Sequence, residues 1–163
     1  MEEPSLQVCS PIPGRLVGLR QVPDLVFSGM IVGAGIAVCP LPQAQELTAV
    51  APISGRLIKL FPHAFMIADG DQTVLVHLGI DTVKMRGDGF TCHAQENEIL
   101  KVGDPVTSFS VKRIEKANYS PLCPVVVLDS TPLDLENLRP EGNQVEVGDL
   151  LFEIAGPVTN DSV

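Results

Sequence analysis

The sequence predicts a mostly β protein built as a duplicated sandwich, and three observations predict it. The 163 residues carry 14 Gly and 14 Pro spread along the chain, cutting the apolar residues into short runs between turn signals. No helical period persists for more than a turn or two. Third, the chain repeats itself: Pro11-Ile12-Pro13-Gly14-Arg15-Leu16-Val17 returns as Pro52-Ile53-Ser54-Gly55-Arg56-Leu57-Ile58, and Leu100-Lys101-Val102-Gly103-Asp104-Pro105-Val106 is echoed by Glu146-Val147-Gly148-Asp149-Leu150-Leu151. Two units occurring twice each suit a two-fold sandwich and not a solenoid, which needs about three or more copies.

Taken in order, apolar or alternating runs place strands at residues 15–19 after Pro13-Gly14, 35–39 before Pro40, 48–51 before Pro52, and 56–61 between Gly55 and Pro62. Strands at 65–68 and 74–78 flank Asp69-Gly70-Asp71; a strand at 104–110 follows Gly103, one at 124–128 starts at a proline, and 150–154 follows Gly148-Asp149. Ser110 is placed to cap a short helix over 111–118, and residues 133–138 allow a turn or two. Residues 1–155 then form one domain, with 156–163 expected to fray because little there can be buried.

Composition excludes several function classes. Eleven Lys and Arg stand against 20 Asp and Glu, a net charge of -9, so the molecular field repels nucleic acid and anionic lipid. No apolar stretch approaches the ~18–20 residues of a membrane helix, so direct membrane insertion is not expected. Cys9, Cys39, Cys92 and Cys123 form no CxxC pair and read as reduced thiols. Met1-Glu2-Glu3-Pro4 lacks the basic and apolar parts of a secretory leader, and with the thiols this points to the cytoplasm.

Two of the three histidines fall in one apolar hairpin, His63 to His77. If Asp69-Gly70-Asp71 is a three-residue loop, Ala68 pairs with Gln72 and His63 lies directly opposite His77, the two imidazoles sharing a face at the ~4.5–5.5 Å spacing of cross-strand Cβ atoms. A slip of one residue would put them on opposite faces. The plainer reading makes each a hydrogen-bonded sheet residue; two facing one another is the arrangement that clasps a small group. Asp81, four residues after His77, is either the imidazole's partner or a turn residue after Gly79.

The segment from Val22 to Gly35 is glycine-rich yet carries seven large apolar side chains, Val22, Leu25, Val26, Phe27, Met30, Ile31 and Val32. Most are expected to cover the core, while Val26, Phe27 and Met30 suit an exposed docking patch. Asp24 is then an acidic residue at its rim, or a plain turn-former after Pro23.

The stretches Pro23-Asp24-Leu25-Val26-Phe27, Ile31-Val32-Gly33-Ala34-Gly35, Ala51-Pro52-Ile53-Ser54-Gly55, His63-Ala64-Phe65 and above all Val76-His77-Leu78-Gly79-Ile80-Asp81-Thr82-Val83 resemble the glucose-family IIA component of the bacterial phosphoenolpyruvate-dependent sugar phosphotransferase system. Gly87-Asp88-Gly89-Phe90, Lys101-Val102-Gly103-Asp104 and Pro124-Val125-Val126 extend the resemblance, which runs in order from about Cys9 to Ile154. It implies an antiparallel β-sandwich and a cytoplasmic phosphotransferase component with no cofactor. In such a protein His77 takes a phosphoryl group from phospho-HPr and passes it to a cysteine of the IIB domain of a glucose/N-acetylglucosamine-type permease. It also implies that His63 supports transfer, that Asp24 and Asp81 flank the site, and that Val26, Phe27, Ile31 and Val32 belong to the docking surface, with regulatory proteins as further partners. The segment Phe61-Pro62-His63 is shorter than that family's pattern, and Gly29, Met30 and Ala34 are uncharged where it often has charges.

Three alternatives compete. His77-x-x-x-Asp81 has the spacing of a zinc-peptidase pair, with His63 as a further ligand, but His93 stands alone where a His-x-His element is needed. A milder form is a zinc ion shared by His63, His77 and a partner's carboxylate. A swinging-arm carrier needs a lysine at its hairpin tip, where this chain has Asp69-Gly70-Asp71. A non-catalytic regulatory module of the same fold would use the same docking patch, and the presence of both His63 and His77 favours the working carrier.

Overall fold

The computed structural model describes residues 5–155. Fourteen strands alternate with little helix: β1 (Leu6–Cys9), β2 (Gly14–Gly18), α1 (Leu25–Ser28), β3 (Gly33–Cys39), β4 (Glu46–Val50), β5 (Gly55–Phe61), β6 (Ala64–Asp69), β7 (Gln72–His77), β8 (Phe90–Cys92), β9 (Ile99–Leu100), β10 (Pro105–Ser110), α2 (Val111–Lys116), β11 (Cys123–Leu128), β12 (Leu135–Glu136), β13 (Gln144–Val145) and β14 (Leu150–Ile154). Single 3-10 turns occupy Leu19–Gln21, Thr82–Met85 and Pro132–Asp134. An eight-stranded sheet runs in the order β13-β2-β3-β11-β7-β6-β5-β9, and two three-stranded sheets, β1-β14-β12 and β4-β10-β8, complete the sandwich. Every strand pair described is antiparallel.

All nine expected strands are present, with ends within two residues of those expected. The other five, β1, β8, β9, β12 and β13, are two to four residues long, too short to carry a period of their own. Ser110 caps α2 through its hydroxyl, which accepts the Arg113 N–H at 3.1 Å. The second expected helical piece is one 3-10 turn followed by β12. The tail at 156–163 lies outside the described residues.

The duplication is structural. Gly14 pairs with Val145 at one edge of the large sheet and Gly55 with Leu100 at the other. The repeats then clasp each other reciprocally: Cys9 N–H donates to Pro52 O (2.9 Å), and Val50 N–H to Pro11 O (3.0 Å). Both Gly-Asp turns close in the same way, Asp104 accepting the Lys101 N–H and Asp149 the Glu146 N–H, each at 2.8 Å.

The large sheet is apolar on both faces. One buries Leu16, Ile36, Val38, Phe65, Ile67, Val74, Val76, Val125 and Val127 in the main core with Phe109 and Phe152 from the other sheets. The alternate residues, Ala37, Ala64, Leu75 and Val126, support a second, smaller cluster roofed by Leu19, Val22 and Phe27. His77 follows Leu75 by two positions and therefore emerges beside that second cluster.

Candidate phosphotransfer site

The β6–β7 hairpin loop is one residue shorter than expected. Asp69 pairs with Gln72 across the two-residue turn Gly70-Asp71, so the residue opposite His77 is Ala64 and not His63. A strict ladder in this register would send His63 to the opposite face. It does not, because β5 and β6 are joined by only Pro62-His63, with Phe61 paired to Ala64. The His63 carbonyl still accepts the Leu78 N–H at 2.7 Å, but its own backbone belongs to the turn and escapes the pleat. The rings meet with centroids 5.1 Å apart and planes at 67°. The short Phe61-Pro62-His63 connection thus brings the imidazoles together.

His77 is wedged on its other side by Phe27, edge to face with centroids 5.4 Å apart, while Phe61 lies 5.9 Å from the His63 ring. The Nδ1 of His77 sits 2.5 Å from the Gly79 carbonyl. A carbonyl only accepts, so Nδ1 carries the proton and the lone pair is left on Nε2. Gly79 supplies that carbonyl from a backbone with φ +82°, and a Cβ there would lie 2.6 Å from Thr82 Cγ2, so no other residue fits without movement.

Burial pushes the His77 pKa below the ordinary imidazole value, against smaller upward pulls from the Gly79 hydrogen bond and from the charges of Asp24 and Asp81. His63 is lowered too, by burial and then by His77. Two imidazoles in contact cannot comfortably both be cations, and at neutral pH the pair is neutral. The arrangement offers a nucleophilic nitrogen at one ring and a second ring able to donate an N–H to an anion held between them.

Asp24 is the turn-former of the plainer reading: it caps α1, its Oδ1 accepting the Val26 N–H at 2.8 Å. Its charge nonetheless reaches His77. Asp81 is exposed, in the left-handed region at φ 63°, and heads the 3-10 turn at Thr82–Met85.

The apolar rim differs from expectation at Phe27, which is only 5% exposed. One helical turn capped by Asp24 rolls its ring inward onto the second cluster, making it a support for His77 and not an exposed contact. Met30 and Val32 are half-buried against the same cluster. The exposed apolar residues of this segment are Val26, Ile31 (73%) and Leu25 (81%), and the turns bearing His63 and Asp81 add Phe61 and Val83. Leu25, Phe61 and Val83 were not singled out by sequence; their signal was proximity to Asp24, His63 and Asp81.

His93 ends up on the small β4-β10-β8 sheet side, bonded through Nε2 to Ser108 Oγ at 2.6 Å. Among the described residues no three His, Cys, Asp or Glu groups are gathered to hold a metal ion. The His pair supplies two ligands, one short of the three protein ligands of a catalytic zinc, which leaves the peptidase alternative without a centre.

Residues 6–133 match the family of the phosphoenolpyruvate-dependent sugar phosphotransferase system, EIIA 1. The chain belongs to that family. The glucose permease IIA from Mycoplasma capricolum has a similar structure, with a TM-score of 0.82 and 28% identity over 93% of this chain and 96% of that one. As an EIIA component the chain is a phosphotransferase component with a phosphocarrier role, in a family whose partners are generally HPr and IIB. No helix among the described residues is long and apolar enough to cross a membrane.

Proposed function

We propose that this EIIA takes a phosphoryl group from phospho-HPr onto His77 Nε2 and hands it to a cysteine of the IIB domain of a glucose/N-acetylglucosamine-type permease. The observation that carries this reading is the tying of His77 Nδ1–H to the Gly79 carbonyl beside the second imidazole. The Nε2 lone pair attacks phosphorus as the N–P bond to the HPr histidine breaks, and no proton need leave His77 first. The IIB thiolate then attacks the same phosphorus, the His77 N–P bond breaks, and the imidazole returns neutral. His63 donates an N–H to the equatorial oxygens as charge spreads over them. Asp24 and Asp81, flanking the site, face a cationic group on each partner.

Leu25, Val26, Ile31, Phe61 and Val83 form the apolar surface on which both partners dock, with Met30 and Val32 contributing their exposed edges and Phe27 supporting from below. Closure of this rim excludes water and limits hydrolysis of the phosphoramidate. The carrier domain is residues 1–155, acting in the cytoplasm.

Reconstitution with phosphoenolpyruvate, enzyme I, HPr and a IIB-containing permease tests the reading. Sugar phosphorylation should depend on this chain, and His63→Gln should accept phosphoryl but pass it on slowly. An undiminished sugar-phosphorylation rate in His63→Gln would remove its supporting role.

A further inference from the structure

The chain is acidic overall, yet five of its eleven basic residues, Lys84, Arg86, Lys112, Arg113 and Lys116, fall in two short segments. The first is the 3-10 turn at Thr82–Met85 with the residue after it, and the second is α2. Between them runs an open groove of about 570 Å³ walled by Lys84, Met85, Asp88, Arg113, Lys116 and Tyr119. Its volume lies within the ~300–1,000 Å³ of small-molecule sites. Three cations face one carboxylate, and Arg113 with Asp88 is the one ion pair found among the described residues. Lys84 and Lys116 are exposed and are left without an anionic partner there. Asp88 pairs with the Arg113 guanidinium, and the half-buried Met85 and Tyr119 add apolar surface.

We infer that this groove binds a small phosphate monoester. Lys84, Lys116 and Arg113, which line the groove together, would take the phosphate dianion by charge-assisted hydrogen bonds. The carbon part of the ligand would cover Met85 and Tyr119. A net charge of -9 repels anions at long range, so the attraction is local to the groove and falls with added salt. The same two segments enclose Gly79, whose α-carbon faces Thr82, Ser120 and Ile114.

The test is titration of the 15N-labelled, unphosphorylated chain at constant ionic strength with glycerol 3-phosphate and, in parallel, inorganic phosphate. Because no phosphoryl transfer is involved, its failure is separate from failure of the carrier reading. Saturable one-site binding with amide shifts at residues 84–88 and 113–119 is expected, weakened at least about tenfold in Lys84→Gln/Lys116→Gln, since two charge-assisted contacts are lost. Tighter binding of glycerol 3-phosphate than of inorganic phosphate supports the monoester. Equal affinity for the two would overturn the monoester assignment, as would non-saturating shifts or unchanged affinity in the double variant.

Discussion

The His77 Nδ1–H is held by the carbonyl of Gly79, two residues along the chain, at 2.5 Å. The proposed nucleophile is thereby oriented by its own backbone, with its tautomer fixed by a main-chain carbonyl. The arrangement depends on Gly79 holding φ +82° in a space where a Cβ would meet Thr82, Ser120 and Ile114.

Gly79→Ala should therefore cost about 1–3 kcal/mol in backbone strain, before any repacking around the new methyl. Urea unfolding would measure that loss. Phosphoryl acceptance should fall by more than the folded fraction falls, because the imidazole loses its anchor.

Phe27→Ala should behave as a core truncation. The ring is 5% exposed and packs against Leu19, Val22 and the His77 edge, so a loss of about 3–5 kcal/mol is expected. Ile31→Ser, at an exposed position, should leave the unfolding midpoint nearly unchanged while weakening HPr binding by about 1–3 kcal/mol. Calorimetric titration with HPr, run beside denaturant melts, separates the two. Full HPr affinity in Ile31→Ser would take it out of the docking surface.

The two histidines make stability depend on pH in a definite direction. Their folded pKa values lie below the 6.5 of a free imidazole, so between those values the unfolded chain binds more protons than the folded one. Their contribution to stability is complete above about pH 6.5 and is lost as pH falls from there through the folded values. Replacing His63 with Gln should flatten this part of the stability curve, which melts at a series of pH values would reveal. By the same sign, phosphoryl acceptance should persist at a pH where a free imidazole is mostly protonated.

Much of this was legible in the residues. The nine longer strands announce themselves because each is an apolar run between turn signals, and the two-fold plan shows because Pro-Ile-x-Gly and Gly-Asp recur. The His63–His77 encounter was also legible, but through the wrong register. Nothing in Asp69-Gly70-Asp71 distinguishes a three-residue loop from the two-residue Gly70-Asp71 turn that forms, and the ring contact survives only because His63 stands in a turn of its own. The burial of Phe27 was not legible, since a single helical turn has no period and only the cap at Asp24 decides which side chain rolls inward. The groove beneath Lys84 and Lys116 was hidden for a different reason: its walls are about thirty residues apart, and only the packing of α2 behind Gly79 joins them.

The central claim is that His77 is the phosphoryl acceptor. Incubation with phosphoenolpyruvate, enzyme I and HPr, followed by intact-mass and tandem mass spectrometry under conditions that preserve acid-labile phosphohistidine, tests it most directly. One phosphoryl group on His77 is predicted, dependent on HPr and absent from a folded His77→Ala variant. A phosphoryl group elsewhere, or none while HPr itself is phosphorylated, would contradict the account.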